Sequence, residues 1–304
     1  MSAAPWGCRG LSVRYGGTVA LDDVTFEVAP GTVAAVVGGD GAGKTTLVRA
    51  LAGTVRPAAG TVRRPDRRRL GYVSAGPGVW TDLTVDENLS FAGRAYGLSA
   101  DQLEVRVGAL LERTGLAAAR DRLAGRLSGG MRQKLALAMA VAHEPELLLL
   151  DEPTTGVDPV SRAELWRLLA SAAADGAAVA VATTYLDEAE RAASVLVLDR
   201  GRALLAGTPD EVLAATPGLV VEGPARPEGV PSWRRGARWR AWSPDGSTPP
   251  GTSPVTLDLE DAAIVAQLRK ERGGPGDRRG GPPVGRGGPG DRRGGPPVSR
   301  GRAA

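Results

Sequence analysis

Residues 127–134 read LSGGMRQK, and residues 147–158 read LLLLDEPTTGVD. In the first stretch a serine and two glycines precede an amphipathic run, which predicts a helix N-terminus able to bind an anion. In the second stretch four consecutive leucines are typical of a strand buried on both faces of a sheet. That strand ends at Asp151, so a carboxylate emerges from the edge of a buried sheet.

A glycine-rich phosphate loop, GGDGAGKTT at residues 38–46, follows an apolar run at 33–37 and precedes a helical pattern at 45–51. Its glycines let successive backbone N–H groups turn inward and cradle phosphates at a helix N-terminus. Lys44 places a cation on the terminal phosphates, and Thr45 offers its hydroxyl to Mg²⁺. A chance glycine turn is the alternative, and the order of strand, loop and helix argues against it. The nucleotide-binding candidates in this loop are Gly38, Gly39, Asp40, Gly41, Ala42, Gly43, Lys44, Thr45 and Thr46.

The acidic pair at the end of the leucine run supplies further chemistry. Asp151 can hold a magnesium-bound water, so Thr45 and Asp151 are the candidate metal-binding residues. Glu152 points differently and is the candidate general base for the attacking water. A strand-ending helix cap is the alternative interpretation of this acidic pair. The phosphate loop upstream favours the catalytic interpretation, with ATP and Mg²⁺ as cofactors.

The pattern of apolar, polar and glycine residues divides the whole chain into three parts. Residues 8–28 alternate apolar and polar positions as antiparallel strands do, and residues 84–142 are mostly helical in pattern. Strands return at 147–150, 178–182 and 195–198 with helical stretches between them, which predicts a parallel sheet with crossovers. We therefore expect a nucleotide-binding domain at 1–216, a small accessory unit at 217–270 and a disordered Gly/Pro/Arg tail at 271–304, where a 14-residue segment is duplicated.

Composition limits the classes of function. The chain has 304 residues, 42% of them apolar, and a single cysteine, Cys8, which fits a reducing compartment. It shows no signal peptide pattern and no apolar run near the roughly 18 to 20 residues that span a bilayer. The net charge of +4 is local, because residues 271–304 carry eight arginines against three acids. We expect a cytoplasmic protein that reaches a membrane only through a partner.

The ordered motifs resemble those of ABC transporter ATP-binding subunits over about residues 8–215. Similarity to the bacterial drug-export type, including daunorubicin-resistance-like proteins, comes from YLDEAERAA at 185–193, GRALLAGTPDEV at 201–212 and LDLEDAAI at 257–264. The resemblance implies an α/β fold of the P-loop NTPase (RecA-like) class. Its parallel sheet core carries an antiparallel β subdomain and a helical subdomain at about 84–142. A small C-terminal α+β unit and the disordered tail follow.

The same resemblance implies partners and further site residues. Ser128, Gly129 and Gly130 match the signature that binds the ATP held by another subunit, so a head-to-tail homodimer or heterodimer is expected. Asp158 matches a loop that communicates across this dimer. Tyr15 occupies the position of an adenine-stacking aromatic, with core packing as the alternative. An integral membrane permease would be the second partner, holding the chain at the cytoplasmic face of the cell membrane.

Two positions depart from the family pattern. Ala75 stands where members carry a glutamine that touches magnesium, and Thr184 stands where they carry a histidine that contacts the γ-phosphate. His143, the only histidine, is expected to end the signature helix instead of taking part in catalysis. Thr184 can still bond a phosphate oxygen but has no imidazole. We expect ATP binding to survive and hydrolysis, carried by Glu152, Lys44 and Thr184, to be attenuated.

Three functions follow from these observations. The leading one is the ATP-hydrolysing subunit of an exporter, in which ATP closes the dimer and a separate permease moves the substrate. A regulatory subunit that binds ATP and hydrolyses it little is favoured by Ala75 and Thr184. A soluble ABC protein acting on ribosomes or DNA is the third. We expect no nucleic-acid partner, because the basic tail lacks aromatic residues to stack on bases.

Overall fold

A computed structural model describes residues 4–76 and 78–272. In chain order the strands are β1 (Trp6–Tyr15), β2 (Thr18–Val28), β3 (Val33–Val37), β4 (Ala59–Arg63), β5 (Leu70–Val73), β6 (Leu147–Asp151), β7 (Ala178–Thr183), β8 (Ser194–Asp199), β9 (Arg202–Gly207), β10 (Leu219–Gly223), β11 (Ser232–Arg235), β12 (Arg238–Ser243) and β13 (Ser253–Pro254). The helices are α1 (Lys44–Ala52), α2 (Val85–Ala95), α3 (Ala100–Thr114), α4 (Gly129–Val141), α5 (Pro159–Ala174), α6 (Leu186–Ala189), α7 (Pro209–Ala214) and α8 (Leu259–Arg272).

The central sheet has six strands in the order β5-β6-β7-β3-β8-β9. The first five run parallel, and β9 is antiparallel to β8. Every residue of β3, β6 and β7 is buried, as the unbroken apolar runs predict for strands covered on both faces. The predicted parallel α/β core is confirmed. Since parallel strands end at one edge, the segments after β3, β5, β6 and β7 all meet there.

Helices cover both faces of the central sheet. On one face, Leu47 and Val48 of α1 pack between the central strands and the antiparallel sheet β2-β1-β4. On the other face, Leu165 and Trp166 of α5 pack with α4 against alternate residues of β6 and β7. Because successive side chains of a strand point to opposite faces, one strand contributes to both clusters. The central sheet is therefore the middle layer of the molecule.

The helical subdomain predicted at about 84–142 consists of α2, α3 and α4, which share one apolar cluster. A capping box begins α2, in which the Thr84 hydroxyl accepts from the Glu87 N–H and the Glu87 carboxylate accepts from the Thr84 N–H. Such a box satisfies backbone N–H groups that the first turn of a helix leaves unpaired. The apolar face of α3 is buried, with its members at Leu103, Val107, Leu110 and Leu111.

The C-terminal residues form a four-stranded antiparallel sheet in the order β11-β12-β10-β13, followed by α8. Helix α8 packs Leu259 and Ala262 into the cluster that contains Ala35 and Val37 of the central sheet. It continues to Arg272, two residues into the segment expected to be the tail. The domain boundary at 216 and 217 stays a prediction, and the tail prediction for 273–304 lies outside the described residues. Over the described ranges, no helix is both long enough and apolar enough to cross a bilayer.

Candidate functional site

The phosphate loop leaves β3 and enters α1 at the carboxyl edge of the central sheet. Two of its glycines are required by close packing. A Cβ on Gly38 would lie 2.5 Å from the Leu198 carbonyl oxygen and 2.8 Å from the Ala42 Cβ. Gly43 has φ +109°, and a Cβ there would lie 2.7 Å from Leu21 Cδ2. The loop is thus a narrow backbone cradle at a helix N-terminus, the arrangement that phosphate oxygens require.

Lys44 is the buried cation of this cradle, with 6% of its surface exposed. Its Nζ donates to the carbonyl oxygens of Gly38, at 2.7 Å, and Gly39, at 3.2 Å. The same Nζ lies 3.1 Å from Glu152 Oε1. The two residues that the sequence assigns to phosphate binding and to proton abstraction are therefore in direct contact. A phosphate that reaches Lys44 must compete with the Glu152 carboxylate.

Thr45 and Asp151, the candidate metal-binding residues, also meet. The Thr45 hydroxyl donates to Asp151 Oδ1 across 3.1 Å. Burial raises the pKa of the Asp151 carboxyl, the hydrogen bond from Thr45 opposes that rise, and the charge of Glu152 adds to it. Two hard oxygen atoms side by side, one carboxylate and one hydroxyl, suit Mg²⁺, which takes few protein ligands and keeps waters.

Glu152 has an unusual backbone conformation, with φ +53°. This left-handed region is strained for a residue with a side chain. Two contacts hold it there: the Glu152 N–H donates to the Ala182 carbonyl at 2.8 Å, and the Thr155 hydroxyl donates to Glu152 Oε2 at 2.9 Å. The carboxylate is consequently fixed between Lys44 and Thr155.

A second polar feature lies where α4 and α5 begin. Ser128 is exposed and caps α4 through a hydrogen bond from the Met131 N–H. Asp158 caps α5 in the same way, accepting from two N–H groups. The two helix starts pack closely, since a Cβ on Gly130 would lie 2.6 Å from Ser161 Oγ. Within residues 4–76 and 78–272, no hydrogen bond or ion pair links Ser128, Gly129, Gly130 or Asp158 to the phosphate loop.

The remaining residues that the sequence singles out take no part in the contacts above. Tyr15 ends β1 with 47% of its surface exposed, so the core-packing alternative is wrong. Thr184 directly follows β7 and is exposed, and Ala75 is exposed two residues after β5. His143 follows the end of α4, as expected, and stacks on Tyr96 with ring centroids 3.5 Å apart. Burial lowers the pKa of His143 to about 4, which keeps it neutral at physiological pH.

Sequence reasoning missed three residues that support this edge. Thr155 holds the Glu152 carboxylate, and its position in DEPTT was the available signal. Glu188 is 1% exposed and accepts hydrogen bonds from two threonine hydroxyls. Arg162 faces Glu188 and lies over the Tyr185 ring, 4.2 Å from its centroid. The contacts of Glu188 with Thr154 and Arg162 join residues 34 and 26 positions apart, so no local pattern indicates them.

Comparison with known proteins decides the family. A sequence model described as ABC transporter matches residues 21–155. The chain is 41% identical over 220 residues to the daunorubicin resistance ATP-binding protein DrrA3 of Streptomyces coeruleorubidus, covering 69% of this chain and 70% of the relative. The chain belongs to the ATP-binding subunits of ABC transporters. This subunit is also 39% identical over 218 residues to the Nod factor export ATP-binding protein I of Paraburkholderia xenovorans, covering 68% of this chain and 72% of the relative.

Solved structures agree with this assignment. The ATP-binding subunit of an ABC transporter superposes with a TM-score of 0.63 at 32% identity, covering 70% of this chain and 92% of that one. The cbiO1 protein of Clostridium perfringens, part of the ABC transporter complex cbiONQ, gives a TM-score of 0.63 at 29% identity, with coverage of 71% and 92%. The P-loop NTPase fold expected for an ABC ATP-binding subunit is confirmed, and the chain serves to power a transporter.

Proposed function

We propose that this ABC ATP-binding subunit hydrolyses Mg²⁺-ATP and powers an exporter. The observation that carries the proposal is the contact chain in which Lys44 meets Glu152 and Thr45 meets Asp151. The candidate residues for phosphate binding, metal binding and proton abstraction therefore lie together at one edge of the sheet. The names of the relatives, daunorubicin resistance and Nod factor export, support the export direction.

The residues take the following roles. The phosphate loop cradles the β- and γ-phosphates, and Lys44 exchanges its contact with Glu152 for a terminal phosphate oxygen. Thr45 and Asp151 hold Mg²⁺, which neutralises phosphate charge when bound. Glu152, freed from Lys44, accepts a proton from the attacking water. Thr184 donates its hydroxyl to a phosphate oxygen, and the exposed ring of Tyr15 stacks on the adenine.

The exposed starts of α4 and α5 support a dimer. Two helix N-termini with small residues form an anion site, and one chain offers only one terminal phosphate. We therefore place Ser128, Gly129 and Gly130 of one subunit on the ATP that a second ATP-binding subunit holds. Asp158, at the N-terminus of the neighbouring helix α5, would contact that second subunit and respond to its position.

A groove near the end of β5 suits the permease. Trp80 and Phe91 are 44% and 48% exposed, and their ring centroids lie 4.3 Å apart. They line a cavity of about 220 Å³ with Ser74 and Gly78, which flank Ala75. An exposed aromatic pair beside the site edge fits an apolar cytoplasmic segment of a membrane protein. The subunit would thus lie on the cytoplasmic face of the membrane through its permease.

Steady-state hydrolysis of Mg²⁺-ATP by wild type and by Glu152→Gln tests the proposal, with each chain purified and measured alone. Turnover that disappears in the variant supports a motor that works without glutamine at position 75 and histidine at position 184. Background rates in both chains, with ATP still bound, would replace it by the regulatory subunit that Ala75 and Thr184 favour.

A further inference from the structure

Glu188 is a buried carboxylate that none of the roles above uses. It lies on α6 with 1% of its surface exposed. Its Oε2 accepts from the Thr183 hydroxyl at 2.7 Å and from the Thr154 hydroxyl at 3.0 Å. Its Oε1 lies 3.5 Å from Arg162 Nε. A buried charge is strongly disfavoured unless it is paired and hydrogen-bonded. In the described residues Oε2 has the two hydrogen bonds, and Oε1 has the Arg162 ion pair without a hydrogen bond.

Each partner of Glu188 stands beside a residue of the nucleotide site. Thr154 lies two residues after Glu152, in the turn that fixes the general base. Thr183 ends β7 and directly precedes Thr184. Arg162 lies one turn into α5, where its N–H donates to the carbonyl oxygen of Asp158 at 2.9 Å. One carboxylate therefore joins three segments that are separate in the chain.

We propose that Glu188 is a positioning residue for ATP hydrolysis. It holds the turn of Glu152 and the end of β7 in a fixed relation, and through Arg162 it ties both to the start of α5. A displacement of α5 at a dimer contact is then passed to the general base and to Thr184 together. Glu188 is 1% exposed and acts through its three partners, and its role rests on the proposed hydrolysis.

The geometry separates the charge of Glu188 from its hydrogen bonds. A glutamine at 188 can accept from both threonine hydroxyls through its carbonyl oxygen, but its amide nitrogen then faces the Arg162 guanidinium. Glu188→Gln therefore removes the ion pair and keeps the two hydrogen bonds. Thr154→Val removes one hydroxyl with little change of volume, whereas Thr154→Ser keeps that hydroxyl. Glu190→Gln, an exposed acid-to-amide change two residues away, is the matched control.

The experiment compares kcat, the KM for ATP and the Kd of a non-hydrolysable ATP analogue across these full-length variants. A small misplacement of a general base lowers the rate without weakening binding, so we expect Glu188→Gln to lower kcat about tenfold. Its KM and Kd should change less than about twofold, the pattern of an interaction made in the transition state. Thr154→Val should lower kcat, Thr154→Ser should restore most of it, and Glu190→Gln should match wild type.

Hydrogen exchange gives an independent readout in the same variants. Glu188→Gln should speed amide exchange at 152–155 and 183–187 together and leave α1 unchanged. Wild-type kcat in Glu188→Gln, or loss of kcat and analogue binding in parallel, overturns the positioning role. If wild type itself shows no turnover, the proposed function fails, and exchange that stays unchanged in both segments then overturns the coupling by Glu188 as well.

Discussion

Replacing Glu152 by glutamine should tighten ATP binding while it abolishes hydrolysis. In the structure the Lys44 ammonium lies 3.1 Å from the Glu152 carboxylate, and the two side chains are 6% and 16% exposed. The amide of glutamine is neutral and of nearly the same shape. The change therefore removes a competitor for Lys44, and it removes a negative charge that would face the terminal phosphate.

The distance sets the magnitude of this effect. Unit charges 3.1 Å apart attract by about 5 kcal/mol at an effective dielectric constant of about 20. Desolvation of two largely buried charges offsets most of that attraction, which leaves about 1.4 kcal/mol, or about tenfold in Kd. Loss of the general base should lower kcat by about 100-fold or more.

Isothermal titration with Mg²⁺-ATP measures the affinity, and phosphate release measures turnover. Glu190→Gln serves as the control, because it makes the same chemical change on an exposed side chain. An equal or weaker affinity in Glu152→Gln would refute the competition for Lys44. Unchanged turnover would refute the assignment of Glu152 as general base.

Three further predictions concern the loop, the histidine and the C-terminal helix. Gly38→Ala should weaken ATP binding more than about tenfold, because the added Cβ would lie 2.5 Å from a main-chain carbonyl oxygen. Gly39→Ala is the control: its added carbon has no atom within 4 Å, so this variant should bind ATP normally in the same titration. Burial lowers the pKa of His143 to about 4 from 6.5, so its contribution to stability is lost as pH falls from 6.5 toward 4. His143→Phe, which can keep the stack on Tyr96, should therefore shrink the fall in Tm between pH 7 and pH 5, and an unchanged fall would contradict this. Leu259→Ala should lower the free energy of unfolding, measured in urea, by about 2–5 kcal/mol, because this leucine is 1% exposed and packs against the central sheet. A loss below about 0.5 kcal/mol would show that α8 does not stabilise the nucleotide-binding domain.

The phosphate loop and the acidic pair could be predicted from the short-range spacing of their residues. The glycines and Lys44 lie within residues 38–44, and the cradle that they form follows from local backbone geometry. The leucine run predicts β6 in the same way, because a strand that is buried on both faces of a sheet needs an unbroken apolar sequence. These elements could be predicted from the sequence because their partners are close in the chain or their chemistry is repetitive.

Other features depend on contacts that sequence patterns do not encode. Glu188 pairs with Thr154, 34 residues away, so its burial is invisible to any local pattern. The contact between Lys44 and Glu152 joins residues that only the parallel sheet brings together. Helix α8 lies largely in the accessory unit predicted at 217–270, and its Leu259 shares a cluster with Ala35 and Val37 of the central sheet. The sequence could not show this contact, because an apolar face does not indicate which surface it covers.

The strand order has a consequence for how the chain is made. β3, which leads into the phosphate loop, pairs with β7 and β8 on its two sides, and both are synthesised more than 140 residues later. A growing chain therefore carries β3 with both edges unpaired until residue 183, the end of β7, has left the ribosome, and with one edge unpaired until residue 199, the end of β8. During that part of synthesis the unpaired edges of this apolar strand are a site for aggregation.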